Sequence, residues 1–326
     1  MDTLIADVKK AEIHCHIEGA VPADLVLRQA AKYGVDTTPF LAEGSYVWSD
    51  FTSFLSAYDQ TAQLFRTPED YAALAAGYLT GIAAEGAIYA EIFISPDHAR
   101  QAGLSPEAYF EGLGEGIMQA RQRCGIECRM IVTGIRHFGA EAVEAAALLT
   151  ARRPHPLITG FGMAGEERCG RARDYARAFD IARDADLGLT VHAGELAGPE
   201  SVRDALDALR PSRIGHGVRA IDDSGLVARL ASEGIILEVC PGSNVKLGVY
   251  ADWPSHPFER LRQAGVRVTL SSDDPPHFDS SIGHEYAMAA QTWGYDASTL
   301  TQFTQTALET AFVDEPTRQK LLGQLG

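Results

Sequence analysis

Lys10-Ala-Glu-Ile-His-Cys-His-Ile-Glu-Gly19 is an apolar run that reads as a buried strand and carries two imidazoles two positions apart. Side chains alternate across a strand, so His14 and His16 share one face. Two such histidines can grip one metal ion from two directions, provided that further ligands arrive from elsewhere in the chain. Glu18, two residues on, is expected on the same face.

Outward from this stretch, similar runs recur at regular intervals. Strands are expected at 87–95, 128–135, 157–163, 187–192, 213–215, 235–240 and 266–271, which with the first make eight. Amphipathic helices are expected between most of them, at 105–123, 140–152, 173–185, 199–209, 224–233 and 256–264. Alternation of this kind means a parallel sheet. Eight such units in 326 residues favour a closed barrel, and no Gly-x-Gly-x-x-Gly turn follows the first strand to argue for an open one. The expected fold is therefore α/β: a single (β/α)8 TIM-type barrel, one domain over residues 1–326, with extra C-terminal helices at 298–310 and 315–325.

A helix is also expected at 23–33, and Thr67-Pro-Glu-Asp70 reads as a capping box that opens another. Between them Phe51, Phe54, Leu55, Tyr58 and Phe65 recur at helical spacing. They form either a core-facing stripe or an inserted helical flap over a pocket.

Composition narrows the partners. Lys plus Arg number 28 against 44 Asp plus Glu, a net charge of −16, which repels a phosphate backbone; with no basic stripe to offset it, nucleic acid is not expected. No run approaches the ~20 apolar residues that span a bilayer. Met1-Asp-Thr-Leu-Ile-Ala-Asp7 lacks the basic start and apolar block of a signal peptide, so a cytoplasmic location without a membrane partner is expected. Five cysteines are too scattered for a disulfide framework, and Cys124 and Cys128 are expected as reduced thiols.

Barrel active sites lie at the carboxyl ends of the strands. Those ends hold His14 and His16, His192, His216, and then Asp273 with Asp274, while the strand at 157–163 runs into Gly162-Met-Ala-Gly165-Glu166. Singly, a buried histidine is ordinarily a satisfied core residue, and Asp-Asp-Pro can be a simple turn. Together, three histidines and a carboxylate at one rim are the ligand set of a catalytic zinc with an open position for water. Glu195, three residues after His192, stands where a proton shuttle belongs. Adjacent Asp273 and Asp274 point differently, so one can ligate while the other faces substrate. His216, between Gly215 and Gly217, can hydrogen-bond the attacking water.

The motifs His14-x-His16-x-Glu18-Gly19, His192-Ala-Gly-Glu195, Arg213-Ile-Gly-His216-Gly217, Cys240-Pro-x-Ser-Asn244 and Ser272-Asp-Asp-Pro275 together resemble the adenosine/adenine deaminase family of the amidohydrolase superfamily, in the family's order, from about residue 8 to residue 290. The resemblance implies one Zn²⁺ per chain on His14, His16, His192 and Asp273. It implies catalytic roles for Glu195 as proton donor to purine N1, His216 as the group that orients the attacking hydroxide, and Asp274 as the partner of N7. It also implies a substrate pocket lined by His16, Glu18, Gly165 and Asp274, with the Gly165 N–H at N3. The reaction would be hydrolytic deamination at C6 of a small-molecule purine. No lysine ends the strand at 157–163, so the two-metal arrangement built on a carboxylated lysine is not implied. The His-x-Glu and Pro-Cys-x-x-Cys pattern of nucleic-acid deaminases is not present in combination.

For the substrate, Gly162-Met-Ala-Gly165-Glu166, Gly215-His216 and Gly198-Pro-Glu-Ser201 resemble nucleoside-type members. Adenosine and 2′-deoxyadenosine are the expected substrates. Glu18 stands where many adenosine deaminases have an Asp reaching the ribose 5′-hydroxyl, and there it resembles adenine-acting relatives; adenine or a modified 6-aminopurine is the alternative. Two readings from other classes are a metal hydrolase of phosphoesters or amides and a non-catalytic zinc-binding barrel. Glu195, His216 and Asp274 argue against the latter, because metal storage needs none of them.

Overall fold

The computed structural model describes residues 7–325, so the expected lack of a signal peptide over residues 1–7 falls almost wholly outside the described part. The chain opens with β1 (Lys10–His16) and then runs through a long insertion: α1 (Ala23–Tyr33), a small hairpin of β2 (Leu41–Ala42) and β3 (Ser45–Tyr46), α2 (Phe51–Ala62) and α3 (Pro68–Ala84). Regular alternation follows with β4 (Ala87–Ile94), α4 (Pro96–Gln101), α5 (Pro106–Cys124), β5 (Glu127–Ile135), α6 (Ala140–Ala151), β6 (Ile158–Ala164), α7 (Ala176–Asp184), β7 (Gly188–Ala193), α8 (Pro199–Leu209) and β8 (Arg213–His216). The rest comprises α9 (Ser224–Glu233), β9 (Ile236–Val239), α10 (Pro241–Lys246), α11 (Phe258–Gln263), β10 (Arg267–Leu270), α12 (Ile282–Trp293), α13 (Ala297–Thr310) and α14 (Glu315–Leu322).

Eight strands lie in one sheet in the order β1, β4, β5, β6, β7, β8, β9, β10, with every pair parallel. The sheet curls until its ends meet. Closure rests on the Asp273 N–H donating to the His14 carbonyl at 3.0 Å and the His16 N–H donating to the Asp273 carbonyl at 3.1 Å. The TIM-type barrel is thus sealed at His14, His16 and Asp273.

Most strand and helix expectations hold to within a residue or two. The short hairpin and two of the three six-residue helices, α4 and α10, are not expected from the sequence, being too brief to show a period. One expectation fails: Glu18 does not share the strand face of His14 and His16. β1 ends at His16, and Glu18 begins a 3-10 turn over Glu18–Ala20.

The capping box at α3 forms as expected and does more than cap. Asp70 accepts from the Thr67 and Arg66 backbone N–H groups, from Gln29 Nε2 at 2.9 Å, from Lys32 Nζ at 2.6 Å and from the Tyr33 hydroxyl at 2.5 Å. It ties α1 to α3. Burial pushes its carboxyl upward, but the bonds from Lys32, Tyr33 and Gln29 outweigh that and hold it at about 2, below the ordinary 3.8. Asp70→Asn should cost about 1–2 kcal/mol. A depressed carboxyl contributes above its unfolded pKa and loses that contribution as pH falls through the folded one. The gap in unfolding midpoint between parent and variant should therefore stay constant down to about pH 4 and narrow below it; a gap insensitive to acid would count against the ionised form.

At the amino-terminal end of the barrel, Ala307, Leu308, Ala311 and Leu321 pack on Ala11, Ile13 and Tyr89. Phe312 enters against the strand bottoms, where a Cβ on Gly188 would overlap its ring. Among the described residues no helix is long and apolar enough to cross a membrane, and all five cysteines are free.

Candidate active site

The carboxyl ends of β1, β7, β8 and β10 converge. One ligand atom from each of His14, His16, His192 and Asp273 fits within a 4.8 Å cluster. Asp273 Oδ1 lies 3.6 Å from His14 Nε2 and 3.5 Å from His16 Nε2, and His16 Nε2 lies 3.1 Å from His192 Nε2.

The outer nitrogens show which way these rings are set. His14 Nδ1 donates to Glu238 Oε2 at 2.7 Å and His192 Nδ1 to the Met163 carbonyl at 3.1 Å. Each Nε2 is then a bare lone pair turned inward, as a metal ligand requires. His14 Nε2 is buried with no hydrogen-bond partner. Burial, with help from the neighbouring imidazoles, pushes the pKa of His14 and His16 well below the usual range; burial pushes His192 to about 4. Neutral imidazoles facing one another repel unless a cation lies between them, so the donor set fits a single metal ion of the zinc type.

Two residues of the site hold left-handed backbone, His216 at φ 59° and Asp273 at φ 65°. Such conformations are rare outside glycine and cost on the order of 1–3 kcal/mol each. Closure of the barrel fixes Asp273, while Ser243 Oγ donates to its Oδ2 at 2.7 Å and leaves Oδ1 for the metal position. His216 Nδ1 accepts from Asn244 Nδ2 at 3.2 Å, and the Asn244 carbonyl oxygen is met by His256 Nε2 at 3.1 Å. With Nδ1 so occupied, His216 Nε2–H points toward Glu195 Oε1 at 3.6 Å and Asp273 Oδ2 at 3.8 Å.

Glu195 sits in a turn built around a second carboxylate. After β7 the chain turns at Gly194, φ 71°, and the Glu167 carboxylate accepts from the backbone N–H groups of Gly194, Glu195 at 3.1 Å, Leu196 at 2.7 Å and Ala197 at 2.8 Å, and from Ser201 Oγ at 2.6 Å. Successive N–H groups around an anion fix the turn tightly. Burial, with the nearby charges of Asp273 and Glu167, holds the Glu195 carboxyl well above the ordinary carboxylate range, so this side chain can carry a proton.

Asp274 Oδ1 is buried without a partner beside the cluster. A Cβ on Gly19 would occupy the same space, which is why glycine follows Glu18. His16, His192, Glu195, His216, Asp273, Asp274 and Gly165 line one cavity of about 520 Å3 of empty space. His14 sits behind it. Glu18, expected at the substrate, does not line the cavity: Oε2 accepts from the Tyr58 hydroxyl at 3.2 Å, and Oε1 from Tyr109. The turn after β1 carries it into the protein, where burial raises its carboxyl pKa.

The aromatic segment divides. Phe51, Phe54, Leu55 and Tyr58 on α2 line the cavity, and Phe54 and Tyr58 cluster with Phe278 apart from the main core. Phe65 belongs to that core. The helix therefore lies over the pocket, in the position of a flap.

One supporting network escaped the sequence reading. Arg213, fully buried, donates to Glu91 Oε2 at 2.6 Å and Glu238 Oε1 at 2.5 Å, and its guanidinium lies 3.6 Å from the centre of the Phe312 ring. Glu238 thus joins a buried charge to the outer nitrogen of His14. The only local signal was a charged residue inside each of three apolar strands.

Comparison with known proteins agrees with this geometry. The family model described as adenosine deaminase matches residues 9–326. A protein of Agrobacterium fabrum named adenine deaminase is 60% identical over 317 residues, which cover 97% of this chain and 98% of that one. The crystal structure of an adenine deaminase from Arthrobacter aurescens superposes with a TM-score of 0.89 at 25% identity, covering 97% of each chain. An amidohydrolase from Burkholderia ambifaria, whose crystal structure has bound Zn, shares the fold with a TM-score of 0.88 at 24% identity over 98% of this chain and 89% of its own. The chain belongs to the adenosine deaminase family.

Proposed function

We propose that this enzyme is a metal-dependent hydrolytic deaminase of 6-aminopurines, and that its substrate is the free base adenine, yielding hypoxanthine and ammonia. The base replaces the nucleoside expected from Gly198-Pro-Glu-Ser201 and Gly215-His216. The observation that carries this change is the 60% identity to a protein named adenine deaminase across nearly the whole of both chains. Glu18 supports it: both of its oxygens are taken by Tyr58 and Tyr109, so it cannot reach a ribose hydroxyl without breaking two buried bonds.

His14, His16, His192 and Asp273 would hold one Zn²⁺, which when bound lowers the pKa of a coordinated water to about 7. The protein's own groups do the rest. Glu195 gives a proton to purine N1, which draws electrons from C6 and makes it open to attack. His216 Nε2–H, aimed by Asn244, steadies the attacking oxygen. Asp274 bonds the N7 edge and the Gly165 N–H meets N3, fixing the ring so that ammonia departs from C6. Aromatic α2 covers the bound ring and excludes water from it.

Ammonia release from adenine, adenosine, 2′-deoxyadenosine and N6-methyladenine tests the reading. Adenine should lead adenosine in kcat/KM by about 10²-fold or more. Equal or reversed ranking would restore the nucleoside.

A further inference from the structure

The cavity has two unlike walls. Its histidine side comes from β1, β7, β8 and β10, neighbours around the closed sheet apart from β9. The facing wall comes from the segments after β4, β5 and β6, with α2 lying across the mouth. That wall is largely apolar, yet it carries a polar relay for which the reaction above has no use.

Ser95 Oγ lies 2.8 Å from His98 Nδ1, and His98 Nε2 lies 2.9 Å from Asp59 Oδ1. The order Ser–His–Asp is not a nucleophilic triad here, because Ser95 is buried and its Oγ also caps α4 through the His98 N–H. A carboxylate can only accept, so Nε2 carries the imidazole hydrogen and Nδ1 takes the one from Ser95. His98 is buried with both nitrogens used. Asp59 is its opposite: the side chain is 38% exposed and lines the cavity. The relay fixes Oδ1 and leaves Oδ2 as an acceptor that makes no hydrogen bond among the described residues.

A free purine base and its nucleoside differ at N9, which bears a hydrogen in one and a sugar in the other. When C6 faces the histidines, N1 faces Glu195 and N7 faces Asp274, the N3–N9 edge looks toward the opposite wall. We infer that Asp59 selects the free base by accepting the N9–H hydrogen bond, with His98 and Ser95 as the positioning residues that hold it. A nucleoside offers Asp59 no hydrogen at N9 and presses its sugar toward Phe51 and Leu55. This assignment rests on the adenine reading, and it names the atom at which that preference is exercised.

The test uses the metal-loaded protein with adenine, 9-methyladenine and adenosine as probes. In the parent, adenine should exceed 9-methyladenine in kcat/KM by about 10- to 100-fold, the range for a hydrogen bond to a charged acceptor. Asp59→Ala should lower kcat/KM for adenine by a similar factor, chiefly through KM, and change that for 9-methyladenine less than about threefold. Metal content should not change. Asp59→Asn keeps the side-chain shape, but its one carbonyl oxygen is claimed by His98 Nε2–H and its NH2 then meets N9–H donor to donor, so it should lose adenine as Asp59→Ala does and serves if Asp59→Ala folds poorly. A parallel loss for both probes would reduce Asp59 to a tether between α2 and α4 and overturn the inference. So would full discrimination in both variants while the parent still prefers adenine. A parent that prefers adenosine overturns the adenine reading itself, a separate failure visible before any variant is made.

Discussion

Glu195→Gln is expected to keep its metal and its fold while losing about 10³- to 10⁴-fold in kcat. The turn that presents residue 195 is held by backbone N–H groups donating to Glu167, and those bonds do not depend on the side chain at 195. Glutamine has the same shape and can still meet Asn244 and His216, which approach Glu195 at 3.5 and 3.6 Å. It has no proton to give to N1. The amide should therefore bind adenine with a KM close to the parent's and stall at the chemical step. Elemental analysis for metal, thermal unfolding and ammonia release on the same preparation separate the alternatives. Turnover within tenfold of the parent would remove Glu195 from the proton-donor role.

Glu238→Gln should produce the largest combined effect on stability and metal binding, although residue 238 touches no substrate. Its carboxylate balances Arg213, which is wholly buried, and orients His14 through Nδ1. Removing one partner of a buried ion pair leaves the other charge in a low-dielectric interior, at a cost of roughly 3–5 kcal/mol; Glu91 still neutralises Arg213 in part, so the lower end is expected. An amide can also turn its NH2 toward His14 and force the ring into the wrong tautomer, with Nε2 protonated. Metal affinity should fall about 10- to 100-fold, as for other outer partners of ligating histidines. Denaturant unfolding of the metal-free protein reads the first effect, and competition with a chelator reads the second. A variant that is destabilised but keeps its metal affinity would make Glu238 a partner of Arg213 alone.

The site was legible in proportion to how locally each residue declares itself. His14, His16, His192 and Asp273 stand at the ends of apolar runs that end in the same way, and rules for barrels place such ends at one rim. Glu195 and His216 follow from short offsets to those runs. Glu167, directly after Glu166, carries no local signal, because what it does depends on four N–H groups about thirty residues away. Asn244 was noted within a motif but given no task, since its value lies in a bond to His216. Glu91, Arg213 and Glu238 read as odd charges inside strands until the closed barrel brings all three together.

By itself the sequence determined the architecture and the class of chemistry, and it named four residues that the fold brings together, because hydrophobic period and residue type are properties of short segments and a barrel gathers the ends of those segments at one rim. Only the tertiary structure decided the fate of the side chains next to the site. It turned Glu18 away from the strand face and into the hands of Tyr58 and Tyr109, and it set α2 across the mouth of the pocket. It brought Asp59 to the wall opposite the histidines. Those outcomes depend on a turn of three residues and on contacts between segments 40 to 90 residues apart, where packing and burial, rather than any local period, choose which direction a side chain takes.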